Sequence, residues 1–312
     1  MLSIFVAEGR KKTEIAKILD CDRSTIHREL NRNAPPIHKR YYLPHKAHER
    51  AINRKSEAHQ RPRLKDRAVR NFVKAKIRLG WSPEQIAGRL KREKTDRTVC
   101  YEAIYQYVYT EAPELIKFLP RRHKKRYPKG HTRKHRKSHI PSRVSIEKRP
   151  KYIEKRKQEG HWEGDTIVSK QSTDSLQIVV ERKTRITRLT KLPGKTSAVM
   201  SSTAIGRLIS LPQNLRRTIT WDNASENVEH LRINKALGTK SYFCIPYHSW
   251  EKATVENTAG LVRRFFPKKT NFAQVSREEV RLVESLLNNR PRKCLNYATP
   301  NEALNSCVAL TP

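Results

Sequence analysis

Residues 121–139, RRHKKRYPKGHTRKHRKSH, contain ten Lys or Arg, four His and no acid. No core can be built from such a stretch, because the charges repel and almost nothing apolar is present to bury. It reads as a linker that tracks phosphates, and a chain interrupted in this way must fold as separate parts. Its four His lack metal-ligand spacing, so zinc is not expected there.

The basic character extends beyond that stretch. Lys and Arg total 67 against 30 Asp and Glu, a formal net charge of +37 over 312 residues. Such an excess calls for a polyanionic partner. No apolar run approaches the ~18 residues needed to cross a bilayer. The first residues, MLSIFVAEGRKK, lack a secretory cleavage pattern. The five Cys are scattered and form no CxxC pair, so neither a disulfide framework nor a zinc site is expected. A cytoplasmic, nucleoid-associated protein fits, with no membrane and no small-molecule substrate.

Before the linker the pattern is helical. TEIAKIL (13–19) and RSTIHRELNRN (23–33) repeat apolar residues at helical spacing around Asp20-Cys21-Asp22. Two short helices joined this way read as a helix-turn-helix, with Asp22 capping the second. That helix would present Arg23, Ser24, Thr25, His27, Arg28 and Arg32 to DNA. In a second helical group, 66–80 is amphipathic and Ser82-Pro83-Glu84-Gln85 carries the signals of a helix start. VCYEAIYQYVYT (99–110) completes what resembles a second helix-turn-helix, although its Tyr-rich face equally suits a core.

After the linker, strands alternate with helices. GHWEGDTIVSK (160–170), SLQIVVERK (175–183) and TRITRLTKLP (184–193) predict an antiparallel meander. Helices are expected at 196–211, 225–238, 254–266 and 276–291, with strands at 217–223 and 240–246. That order implies a mixed sheet flanked by helices.

The acids of this half are the candidates for chemistry. Asp165 lies in the first strand, Asp222 ends the fourth and Glu256 opens a helix. Neighbouring first and fourth strands would bring the two Asp together, and a helix crossing that end could add Glu256. Three close carboxylates need a cation, and hard oxygen ligands favour Mg2+ or Mn2+. Two ions per site could clamp the attacking and leaving oxygens of a phosphoryl transfer. Arg263, two turns after Glu256, could hold a DNA phosphate. On spacing alone each acid also fits an ordinary turn, helix start or solvated strand position.

HWEGDTIV, TWDNASEN, PYHSWEKATVENTAGLVRRFFPKKTNF and LLNNRPRKCLNYATPNEAL resemble, in order, the catalytic motifs of the insertion-sequence-thirty family of bacterial DDE transposases. STIHRELNRN, GWSPEQIAGRL and IPSRVSIEKRP resemble that family's recognition helix, second DNA-binding unit and linker. The resemblance implies an α/β, ribonuclease-H-like catalytic domain of the retroviral-integrase type, preceded by all-α helix-turn-helix units. It also implies that Asp165, Asp222 and Glu256 form the metal-binding catalytic triad, with Arg263 at the family's basic position. Ala224 and Ala253 stand where the family usually has Gly, and Lys11 stands where a Ser cap is usual.

The organisation expected is a first helix-turn-helix over 1–33, a basic connector over 34–65, a second helix-turn-helix over 66–117, a basic linker over 118–150 and the catalytic domain over 151–312. Arg121, Arg122, Lys124, Lys125 and Arg126 would follow DNA phosphates. The function implied is a transposase that binds the inverted repeats of its element, cuts the DNA ends and joins them to a target. Double-stranded DNA is the partner, and a homodimer or higher oligomer would hold both ends. A catalytically inactive, sequence-specific DNA-binding regulator is the alternative.

Overall fold

The computed structural model describes residues 1–33, 35, 41–59, 63–93, 98–119, 140–246 and 248–309. The expected phosphate-tracking residues Arg121, Arg122, Lys124, Lys125 and Arg126 lie outside them. The chain divides into two compact units, Met1–Lys65 and Asp66–Pro312. No described helix is long and apolar enough to cross a membrane.

In the first unit, α1 (Leu2–Ala7), α2 (Lys12–Ile18) and α3 (Arg23–Asn33) close on a small core of Ile15, Ala16 and Ile26. Leu2, Phe5 and Val6 of α1 pack on that core, so the few residues before Gly9 form a helix of their own. Asp22 starts α3 as expected, its carboxylate accepting from Ser24 N at 2.6 Å. Lys11 gives α2 no side-chain cap.

Two of the expected boundaries are corrected. Residues 34–65, expected as a connector, contain α4 (Pro44–His59). Ala47 is buried. Arg50 and Arg54 donate to the carbonyls of Asn33 and Arg32, and Arg54 also reaches Asn33 Oδ1. Long basic side chains that looked like a solvated run thus tie up the open carbonyls at the end of α3. Residues 140–150, expected as linker, fold onto the edge of the sheet described below. Ile140 enters its core, Phe243 N donates to Val144 O at 2.9 Å, and the buried Arg149 donates to Thr220 Oγ1 at 3.0 Å.

The second unit begins with α5 (Arg67–Arg78), α6 (Pro83–Arg92) and α7 (Tyr101–Thr110). Val73, Ile77, Ile86, Ile104, Val108 and Leu115 are buried at their crossing. Ser82 and Gln85 form the complete capping box that their spacing announces.

The sheet comprises β1 (His161–Val168), β2 (Ser175–Glu181), β3 (Thr187–Leu192), β4 (Thr218–Trp221) and β5 (Lys240–Phe243) in the order β3-β2-β1-β4-β5. The first three strands form the expected antiparallel meander, and β4 and β5 run parallel to β1. Helices cover both faces: α8 (Ser197–Leu208) and α9 (His230–Leu237) one, α10 (Ala253–Val262) and α11 (Arg277–Asn288) the other. Alternation divides the strands between two cores. Trp162, Val179, Ile219 and Trp221 face α8 and α9. Ile167, Ile178, Val180 and Leu189 face α10 and α11.

A further helix, α12 (Pro300–Ala309), was not expected as a separate element. It fastens the helical group to the sheet. Arg89 of α6 grips Glu302 with two parallel bonds of 2.8 and 2.7 Å. Gln85 Nε2 donates to Pro291 O at 2.7 Å.

Candidate active site

Register assembles the centre. Parallel pairing aligns His161 with Thr218 and Glu163 with Thr220. Continued two residues, it brings Asp165 beside Asp222, just past the end of β4. Strand alternation puts Glu163 and Asp165 on the face towards α10.

A cation sits between the two Asp residues, supplied by the chain itself. Lys252 Nζ lies 3.3 Å from Asp165 Oδ1 and 3.3 Å from Asp222 Oδ2, and donates to Gly164 O at 3.2 Å. Only 6% of the Lys252 side chain is exposed, against 25% for Asp165 and 42% for Asp222, so this ammonium is the buried member of the trio. Burial works to discharge it, but the carboxylates of Asp222 and Asp165 outweigh that and hold its pKa above the ordinary lysine value.

Asp222 is firmly oriented. Its Oδ1 accepts from Asn227 Nδ2 at 2.8 Å and from Ala224 N at 3.2 Å. Beside it, Arg143 Nε donates to Asn223 Oδ1 at 2.7 Å, and Asn223 Nδ2 donates to Cys244 O at 2.7 Å.

Glu163, which nothing local singles out, holds α10. Its Oε2 accepts from the backbone N–H groups of Thr254 and Val255, each at 2.9 Å. The residue before α10, Lys252, makes no side-chain cap. A carboxylate from β1 therefore caps the helix from outside its own sequence. Glu163 is fully buried, and its Oε1 forms an ion pair with Arg182 Nε at 3.2 Å.

Glu256 is exposed, in the first turn of α10. It lies four residues after Lys252, hence on the same side of the helix. Asp165 and Asp222 are brought together around Lys252, and Glu256 is not part of that contact. Among the described residues, no three His, Cys, Asp or Glu side chains are grouped so as to hold a metal ion. Sequence reasoning missed Lys252, although its four-residue spacing to Glu256 was visible.

Comparison with curated proteins is decisive about family. The chain is 39% identical over 309 residues to the transposase InsI for insertion sequence element IS30A of Escherichia coli, covering 95% of this chain and 79% of that protein. It is 34% identical to the transposase for insertion sequence element IS4351 of Bacteroides fragilis, covering 98% of this chain and 94% of that one. With the transposase for IS1086 of Cupriavidus metallidurans, identity is 36% over 77% of this chain and 72% of the relative. This chain belongs to the IS30 family of transposases. No family model matches it.

The departures from the family pattern cost this transposase little in backbone terms. Ala224 has φ −73° and Ala253 has φ −57°, so neither position needs the left-handed geometry that favours Gly. Arg263 ends α10 with its guanidinium on backbone carbonyls: Nη2 donates to Val168 O at 2.8 Å and Nη1 to Pro267 O at 3.3 Å. In the first unit, Arg23, Ser24, Thr25, His27, Arg28 and Arg32 are all exposed along α3, while Ile26 is buried behind them.

Proposed function

We infer that this transposase binds the inverted repeats of its insertion sequence, cleaves the DNA at the element's ends and transfers the strands, using Asp165, Asp222 and Glu256 with Mg2+ or Mn2+. The observation that carries this reading is the pair of strand-end carboxylates sharing one cation, with Glu256 on the same side of the adjoining helix. An antiparallel meander extended by two parallel strands, order β3-β2-β1-β4-β5, supports a ribonuclease-H-like fold.

The donors fit a hard divalent ion. Asp165 and Asp222 offer oxygen only, and they already converge on a positive charge. Such an ion, when bound, would help activate the attacking hydroxyl and stabilise the departing oxygen. The residues present do the remaining work. Asn227 and the Ala224 N–H fix the Asp222 carboxylate. Lys252 neutralises the Asp pair, which would otherwise repel. Glu163 sets the start of α10 and thereby the placement of Glu256. The helices α2 and α3 read as a helix-turn-helix whose exposed face contacts the DNA ends. Holding two ends requires a dimer or larger assembly.

The test is a duplex carrying the element's end, incubated with protein and Mg2+ or Mn2+. Nicked and joined products are expected from the wild type. Asp222→Ala should bind the duplex and yield neither product. Equal absence of products from both proteins, with binding retained, would establish the inactive-regulator alternative. Arg23→Ala combined with Arg28→Ala should weaken binding to the end relative to unrelated DNA.

A further inference from the structure

The reverse side of α10 carries a second concentration of positive charge. Arg156, Arg185 and Arg292, together with Thr254, Asn257 and Thr258, line a cavity of about 250 Å³. At 3.6 residues per turn, those three α10 positions lie away from Lys252 and Glu256. The arginines converge from distant places: the turn after Lys151–Lys155, the β2–β3 hairpin and the segment following α11. Arg156 and Arg185 both adopt left-handed backbone, with φ of 53° and 64°, which non-glycine residues seldom do away from functional sites.

These guanidiniums have little to neutralise them. Among the described residues, no carboxylate pairs with any of the three. Arg185 Nη1 donates to Thr254 Oγ1 at 3.1 Å, and Arg292 Nη2 donates to Leu287 O at 3.3 Å. The Nε atoms of Arg185 and Arg292 are buried without a hydrogen-bond partner. Burial, and then the neighbouring Arg185, push Arg292 down to about 10. Three like charges around one small cavity repel, and an anion between them reverses the sign of that interaction. Guanidinium forks beside two hydroxyls and an amide suit the oxygens of a phosphate.

We propose that this cavity holds a backbone phosphate of DNA, which contacts the Glu256-bearing helix from the side opposite its carboxylate. The proposal rests on the reading of the chain as a DNA-acting transposase, and it adds a contact outside the carboxylate centre. DNA held there would pin α10, linking DNA engagement to the placement of Glu256.

The test is equilibrium binding of a labelled duplex by fluorescence anisotropy over a range of salt. It uses the full chain carrying Asp222→Ala, so that the DNA stays uncut and the result does not depend on catalysis. Adding Arg156→Ala and Arg185→Ala should raise Kd several-fold. It should also make the dependence of log Kd on log salt shallower by about one to two. Lysine at both positions should retain most of that salt dependence. Asn257→Asp, a change at an exposed residue with little demand on folding, should weaken binding in the same direction. Unchanged Kd and slope in the alanine and aspartate variants, with native circular dichroism, overturn the proposal. So does the case in which inorganic phosphate raises the Tm of the parent but not of the alanine variant while DNA affinity is unaffected, because the cavity then takes only a free anion. Failure of the parent itself to bind duplex would remove the DNA reading and this site with it.

Discussion

Trp221 lays the edge of its indole against the bare Cα of Gly164. A Cβ at Gly164 would stand 2.1 Å from Trp221 Cζ3, inside the ring's own volume. Gly164 separates Glu163, which caps α10, from Asp165, which shares Lys252 with Asp222. The close approach of β1 to β4 that aligns the two Asp residues therefore requires a residue without a side chain.

Gly164→Ala should push β1 and β4 apart. Overpacking of a filled core costs roughly 1–3 kcal/mol, and here it acts on the strand pair that sets the site. A lowered Tm, together with loss of cleavage at temperatures where the protein is still folded, is expected. A Tm equal to wild type would contradict the packing described.

Glu163→Ala strands Arg182 without its buried partner and leaves two N–H groups of α10 open. Breaking a buried pair in this way costs about 3–5 kcal/mol. Glu163→Gln retains an oxygen acceptor for the helix and should fall between wild type and alanine in urea unfolding. Equal losses from the two substitutions would show that the ion pair matters and the helix cap does not.

Lys252→Ala leaves Asp165 and Asp222 facing each other without their shared ammonium. The variant should melt lower in metal-free buffer and gain more in Tm from added Mg2+ than the wild type does. Equal Mg2+ gains would argue that Lys252 and the metal do not share the same pair of carboxylates.

His161 supplies an acid-sensitive element. Burial first, then Arg217 and other nearby arginines, push its pKa from 6.5 to about 4. It is 2% exposed and pairs with Thr218 Oγ1 at 2.8 Å and Gln158 Oε1 at 3.1 Å. The folded protein thus binds this proton more weakly than the unfolded chain. Its contribution is complete above pH 6.5 and declines as pH falls towards 4, by up to roughly 3 kcal/mol at ~1.4 kcal/mol per pH unit. His161→Gln should flatten the stability profile in that window, as measured by urea unfolding.

The contact between α6 and the C-terminal segment is open to the same kind of test. A Cβ at Gly88 would lie 2.4 Å from the Tyr297 ring, so Gly88→Ala should loosen this docking. Arg89 holds the Glu302 carboxyl down at about 2. Because the Glu302 side chain is 43% exposed, its pair with Arg89 is worth only about 1 kcal/mol after solvent screening. A double-mutant cycle over Arg89 and Glu302 should return a coupling of that order, and faster proteolysis near residue 300 should accompany Gly88→Ala.

Much of the fold was legible because its signals are local. The capping boxes Ser82–Gln85 and Ser276–Glu279 are both formed, and the meander strands fall where alternating apolar residues place them. Residues 140–150 and α4 misled because basic residues resemble a solvated linker until a partner for each is known. Arg149 finds Thr220, and Arg54 finds the end of α3. α12 went unassigned because its burial depends on α6, which lies far away in the chain.

For the site, sequence alone determined the chemical inventory: oxygen donors at Asp165 and Asp222, an acid in the first turn of a helix at Glu256, and an excess of positive charge suited to DNA. Tertiary structure alone decided that Lys252 lies between the two Asp, that Glu163 caps a helix from another element, and that Arg156, Arg185 and Arg292 meet around one cavity. Such relationships follow from the register of β1 against β4 and from the docking of α10 on the sheet. Charge and packing act through space across these contacts, so no local pattern along the chain encodes them.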